Sequence, residues 1–382
     1  MKKLFGNSGR IARKFLCLFL ALVGLFGSVN ISALAEDLSP KGSILTTFYT
    51  EPKNSADVVF VGSSSVYRFI STTQLYSKYK ITSLNYGAIS MHPRTISGAI
   101  QEITSRQRPK VIVIEMRRFI KLCNTTKNGE KLTKTQIADF EYKFKELIRD
   151  IPASENRSKI IKDTVKPWGY NAVKWEMRNF YSKYNLKKYT IEQMREILKK
   201  NYKSKNSKYT YKSNSSYVGG KYKGTIGMSR ISSIKVNDYS KYNKTSKIQG
   251  EAFDILNNII EAAKTSGTEV LFVSTPHSTN KARVAYENAL GKILEENGFN
   301  YLNCNKLYGK IGLNFKRDYY DTNHTNVSGM VKVTNYIGKY LVKNYKLKET
   351  VLTKAQKKSW DKATDLWIKE VRTPMNKKIK AY

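Results

Sequence analysis

Apolar residues fall in short runs between longer amphipathic stretches, and this alternation predicts strands and helices in turn. Val58–Val61 reads as a first strand, with helical character following through about Tyr79. A short strand near Ser83–Tyr86 ends in Gly87, and a helix covers about Arg94–Ser105. Pro109 precedes Lys110-Val-Ile-Val-Ile-Glu115, a β-branched run suited to a strand buried on both faces of a parallel sheet. The rhythm breaks from Arg118 to about Lys247, where only residues 135–150 and 190–200 read as helical. It resumes with a helix at about Ile248–Ser266, a strand at Glu269–Val273, a helix at about Lys281–Glu296 and a strand at Asn300–Asn303. A final core helix spans about Val327–Asn344. Strands alternating with helices predict an α/β fold, a three-layer, doubly wound, mostly parallel sheet carrying one large insertion.

The boundaries that follow are a leader over 1–35, core segments over 45–118 and 248–345, an insertion over 119–247, and a tail over 346–382. The leader has Lys2, Lys3, Arg10, Arg13 and Lys14, then an apolar run from Phe15 to about Val29, then Ala33-Leu34-Ala35. That order describes a secretory signal peptide cleaved near Ala35. An uncleaved anchor is the other reading, although the apolar run is short for a membrane span. Both put the body of the chain outside the cytoplasm, secreted or associated with the cell envelope. The tail is basic, with Trp360 and Trp367 at helical spacing, and either packs on the core or meets a partner.

Charge narrows the partners. The chain has 68 Lys and Arg against 30 Asp and Glu, a formal net charge of +38. Residues 181–247 alone hold 17 basic residues, 3 acids and 10 tyrosines. Such a field attracts polyanions, though a lysine-rich surface also serves solubility. Export and the lack of a nucleic-acid-binding signature turn the expectation from nucleic acid towards an anionic polysaccharide, wall polymer or membrane surface. Cys123 and Cys304 follow the leader and could pair in an oxidising compartment. With three histidines and no His/Cys ligand spacing, no metal site and no cofactor is expected.

Two segments carry the candidate chemistry. Val61-Gly-Ser-Ser-Ser-Val66 sits directly after the first strand, where a tight turn into a helix would present a serine hydroxyl. Asp321-Thr-Asn-His324 supplies an imidazole and a carboxylate three residues before it. Serine is a poor nucleophile at neutral pH unless a base takes its proton, and the base works best when a third group orients it. Each segment alone has a plainer use, the first as a helix cap and the second as surface loop. His92 and His277 follow predicted strand ends, as pocket residues or ordinary loop histidines.

In these segments the chain resembles the SGNH (GDSL-like) hydrolase superfamily, closest to exported bacterial branches that act on cell-surface polymers, including D-alanyl transfer proteins. The resemblance covers about 55–118 and 250–343. It implies a flavodoxin-like sheet with Ser64 of Gly62-Ser63-Ser64 as nucleophile, Ser63 and Ser65 being lesser candidates. It also implies His324 as base, Asp321 as its orienter, and the N–H groups of Ser64 and Gly87 as oxyanion donors, Gly87 from the block Asn85-Tyr86-Gly87. Two departures stand out. Ser63 replaces the motif's aspartate, and Glu115-Met-Arg-Arg118 replaces a block that usually brings an oxyanion-binding asparagine. Arg117 or Arg118 is then a substitute donor or a contact for an anionic substrate. The function implied is an esterase or acyltransferase for acetyl or similar esters of a cell-surface polymer. A catalytically weak polyanion-binding wall module, or an accessory to a membrane acyltransferase, is the competing reading.

Overall fold

The computed structural model describes residues 44–125 and 220–382, with isolated positions 147, 151–152, 157, 160–161 and 193 between them. The leader, and all but isolated positions of the helices expected at 135–150 and 190–200, lie outside the described residues. A short helix α1 (Ile44–Thr50) leads into β1 (Val58–Gly62), α2 (Ser64–Phe69), α3 (Thr72–Tyr79) and β2 (Ser83–Gly87). Next come α4 (Thr95–Gln107), β3 (Val111–Glu115) and α5 (Arg117–Thr125). Beyond residue 220 lie α6 (Gly250–Lys264), β4 (Glu269–Ser274), α7 (Lys281–Glu296), β5 (Asn300–Asn303) and α8 (Tyr308–Ile311). A hairpin, β6 (Tyr319–Asp321) and β7 (His324–Thr325), precedes α9 (Val327–Asn344). The tail forms α10 (Lys354–Trp367) and α11 (Thr373–Ala381), joined by a π-helical stretch, Ile368–Arg372.

Five strands form one parallel sheet in the order β2-β1-β3-β4-β5, with Val58 opposite both Ser83 and Val111. Alternation along each strand splits its side chains between two apolar layers. Val59, Val61, Ile112, Ile114 and Phe272 pack with α1, α4, α5, α6 and α7. Val58, Phe60, Val113, Leu271 and Val273 pack with α2, α3 and α9. Helices therefore cover both faces, which explains why the central strands read as unbroken apolar runs rather than as alternating ones. The chain leaves β1 to one side for β2 and returns to the other side for β3. The carboxyl ends of β1 and β3 thus border the crevice where open α/β sheets gather their sites.

Three features differ from the sequence expectation. The helix expected through Tyr79 is two helices, because Ile70 is extended and Ser71 starts afresh, its hydroxyl accepting from the Gln74 N–H at 3.1 Å. A serine followed by two threonines favours this cap over helix continuation. The late part of the expected insertion is built into the body: Tyr222, Ile226 and Met228 are buried, and Tyr222 and Trp367 meet edge to face at 5.7 Å. Trp360 and Trp367 are buried too, so the tail packs on the core. Cys123 and Cys304 are free and buried in opposite layers of the sheet, which removes the pairing considered between them.

Candidate active site

The turn after β1 is shaped by close packing. Gly62 has φ +156°, and a Cβ there would come within 2.9 Å of both Glu115 Cβ and Val66 Cγ2. Only glycine lets β1 pass that close to the end of β3. The three serines that follow have different surroundings. Ser63 and Ser65 are buried, their hydroxyls 2.8 Å apart, and Ser65 donates to Glu115 Oε2 at 2.5 Å. Ser64 is half-buried and points the other way, its Oγ 2.9 Å from His324 Nε2. Of the three, Ser64 alone meets an imidazole.

The Asp-x-x-His spacing is a two-residue hairpin loop. Asp321 and His324 are the closing pair of β6 and β7, so cross-strand geometry puts carboxylate beside ring. His324 Nδ1 lies 3.0 and 3.1 Å from the two Asp321 carboxylate oxygens, and Asp321 Oδ1 also accepts the Asn323 N–H at 2.7 Å. An ionised carboxylate at Nδ1 fixes the proton there. Nε2 is then bare, and the Ser64 hydroxyl donates to it.

Four contacts hold this hairpin in place, the first of them to α2. Thr325 Oγ1 donates to the Arg68 carbonyl at 2.9 Å, and Arg117 donates to the Asn323 carbonyl. The Ser278 N–H donates to the Thr322 carbonyl at 3.0 Å, and Ser232 Oγ to the Tyr320 carbonyl at 2.7 Å. Just beyond, the Asn326 side chain caps α9 at Ser328 and Gly329 while its amide donates to the Arg317 carbonyl at 2.7 Å. Behind the serine turn, buried Glu115 accepts from Ser65, Thr275 Oγ1 at 2.9 Å and the Arg117 N–H at 3.2 Å. Neither Glu115 nor Arg68 is singled out by sequence reasoning. The available signals were a carboxylate ending an otherwise apolar strand, and an arginine one helical turn after the serine.

Electrostatics keep His324 neutral. Burial, including Phe69 at 6.5 Å between ring centroids, lowers its pKa below the usual 6.5. Asp321 opposes that shift, and the charges of Arg117 and Arg68 add to it. Asp321 would rise through burial, but hydrogen bonds from His324 and the Asn323 N–H bring it below its ordinary value. Arg117 is itself buried over the Phe69 ring, 5.7 Å from its centroid, and is occupied with the hairpin. Arg118 stands beside it, half-buried, its charge acting on His92.

The other candidates are set around this centre. Gly87 ends β2 against the serine turn; a Cβ on it would sit 3.2 Å from the Gly62 carbonyl and 3.4 Å from that of Ser63. His277 is buried and donates from Nδ1 to the Thr275 carbonyl at 2.9 Å; burial, then the Arg117 charge, holds its pKa well down. His92 accepts the Arg94 N–H at 3.3 Å, and burial with Arg118 and Arg94 lowers its pKa to about 3. Both rings are therefore neutral at physiological pH. Among the described residues no three His, Cys, Asp or Glu side chains gather as a metal site.

In comparison with known proteins, the chain gives no match to a protein-family model or to a curated protein sequence.

Proposed function

We propose that this chain is an exported serine esterase or acyltransferase, acting on acetyl or similar esters of an anionic cell-surface polysaccharide or wall polymer. The observation that carries the reading is the unbroken relay from Ser64 Oγ through His324 to Asp321, with links of 2.9 and 3.0 Å. In that relay His324 takes the Ser64 proton as Oγ attacks the ester carbonyl. The tetrahedral oxyanion is received by the N–H groups of Ser64 and Gly87, the donors implied by the SGNH resemblance. His324 then returns the proton to the leaving alkoxide, and an acyl group stays on Ser64. Water or a polymer hydroxyl, losing its own proton to His324, releases that group as acid or as a new ester.

The strand order β2-β1-β3-β4-β5, with helices on both faces, supports a three-layer, doubly wound core of the SGNH type. The net charge of +38 favours an anionic substrate. So does a surface groove of about 1120 Å³ whose lining includes Lys235, Lys316 and Arg317. The basic leader followed by an apolar run supports export.

Turnover of a generic acetyl ester by the protein from residue 36 onward tests the reading. Ser64→Ala is expected to reduce kcat by about 10³-fold or more, with the melting temperature preserved. Equal turnover by the two proteins would remove the relay from the chemistry.

A further inference from the structure

Several partly buried cations elsewhere in this fold have carboxylate partners. Lys223 pairs with Glu51, Lys221 with Glu370, Arg94 with Glu251 and Lys332 with Asp318. Beside the triad, Arg117 is spent on the Asn323 carbonyl, and two further guanidiniums have no carboxylate partner among the described residues. Arg68 Nε is buried with no hydrogen-bond acceptor, and among the described residues its guanidinium forms no ion pair. Arg230 spends Nε on the Tyr320 carbonyl at 3.0 Å, and no carboxylate among the described residues pairs with its guanidinium. Both lie over the Tyr320 ring, with Cζ 6.0 Å (Arg68) and 4.2 Å (Arg230) from its centroid.

From this we infer that Arg68 and Arg230, organised on Tyr320, form an oxyanion subsite that receives a carboxylate or phosphodiester group next to the ester being cleaved. The inference rests on the proposed esterase reading and names what the substrate must carry. Placement supports it. Arg68 is one turn beyond Ser64 on α2, so both side chains leave the same helix face. Tyr320 directly precedes Asp321, and the Arg68 carbonyl is bonded by Thr325, the residue after His324. The aromatic ring restricts the guanidiniums without neutralising them. The nearest carboxylate in sequence, Asp321, is occupied by His324 and Asn323. A desolvated guanidinium nitrogen without an acceptor, as at Arg68 Nε, is costly, and a carboxylate or phosphate oxygen pair fits the guanidinium fork.

The test uses three acetyl esters of similar size: a neutral methyl glycoside, a methyl glycoside of a uronic acid with its carboxylate free, and a sugar carrying a methyl phosphodiester. The unsubstituted protein should prefer at least one charged ester by about 10- to 100-fold in kcat/KM, mainly through KM. In Arg68→Gln that preference should fall to within about threefold, and Arg68→Lys should restore part of it. Which charged ester is preferred identifies the oxyanion. No preference in the unsubstituted protein, or the same preference in Arg68→Gln, would overturn the subsite. A second arm does not need turnover. Calorimetric binding of the uronic acid methyl glycoside, its carboxylate free, and of dimethyl phosphate is compared in Ser64→Ala and in Ser64→Ala with Arg68→Gln, both checked by melting temperature. Loss of binding with Arg68→Gln supports the subsite even if no ester is cleaved, an outcome that would sink only the esterase reading. Equal binding, or none in either, rejects the subsite itself.

Discussion

Among single residues, the proposed chemistry depends on which protonation state each group holds. His324 must be neutral to accept the Ser64 proton, and burial with two nearby guanidiniums places its pKa below the ordinary 6.5. A base is active above its pKa, so activity should rise with pH on a limb centred below 6.5 and be level by neutrality. Replacing Arg68 by glutamine removes a positive charge from that environment, and the acid limb should move to higher pH. A pH–rate profile of both proteins checks this; an unmoved limb would mean that Arg68 does not act on His324. Asp321→Asn acts differently. It withdraws the charge that stabilises imidazolium and the acceptor that fixes the tautomer, so kcat should fall by up to about 10⁴-fold with little change in KM.

At the scale of elements, the serine turn depends on how closely β1 approaches β3. Gly62→Ala pushes a methyl group into Glu115 and Val66 and should destabilise the protein by about 1–3 kcal/mol, read from denaturant unfolding. Glu115→Ala leaves Ser65, Thr275 and the Arg117 N–H without their acceptor. A loss of about 3 kcal/mol is expected, with a fall in kcat as the serine turn loosens. Another buried carboxylate, Glu287 on α7, accepts from Asn303 and Asn305, and burial raises its pKa to about 7. Between the unfolded value near 4.3 and about 7 the folded state binds the extra proton, so stability from this group falls as pH rises through that window. Melting temperatures of Glu287→Gln and the unsubstituted protein should diverge least at pH 4 and shift in favour of the variant by pH 8. A constant difference across that range would contradict this assignment.

At the scale of the whole molecule, what could be read in the sequence was what repeats locally. Val58–Val61 and Lys110–Glu115 announced central strands because both faces of the sheet are covered, and the helices at 281–296 and 327–344 carry regular apolar faces. Ser64, Asp321 and His324 could be singled out because the proposed chemistry demands those types after strand ends, and they do lie in one hydrogen-bonded chain. The hairpin was not legible: β6 and β7 are too short to show a period, and the Arg230 and Arg117 contacts that hold it are long-range. The composition of 181–247 suggested one basic surface block, yet within it Tyr222 is buried against the tail, and Ile226 and Met228 are buried against Ile44 and Tyr67. Spacing alone could not reveal that Arg68 and Arg230 share one ring. The basic groove ending at Arg317 gives a prediction at this scale. Binding of an anionic polysaccharide to Ser64→Ala should weaken steeply between about 0.05 and 0.5 M salt, and a Lys235→Gln, Lys316→Gln, Arg317→Gln triple variant should flatten that dependence. Identical salt curves would put the polymer elsewhere.

The most direct measurement is covalent trapping. The protein is treated with a fluorophosphonate that reacts with activated serine hydroxyls, and the modified peptide is found by mass spectrometry. One adduct is expected, on Ser64 and not on Ser63 or Ser65, abolished in Ser64→Ala and strongly slowed in His324→Ala. Labelling of another residue, or labelling of Ser64 at the same rate without His324, would contradict the relay on which the proposed chemistry stands.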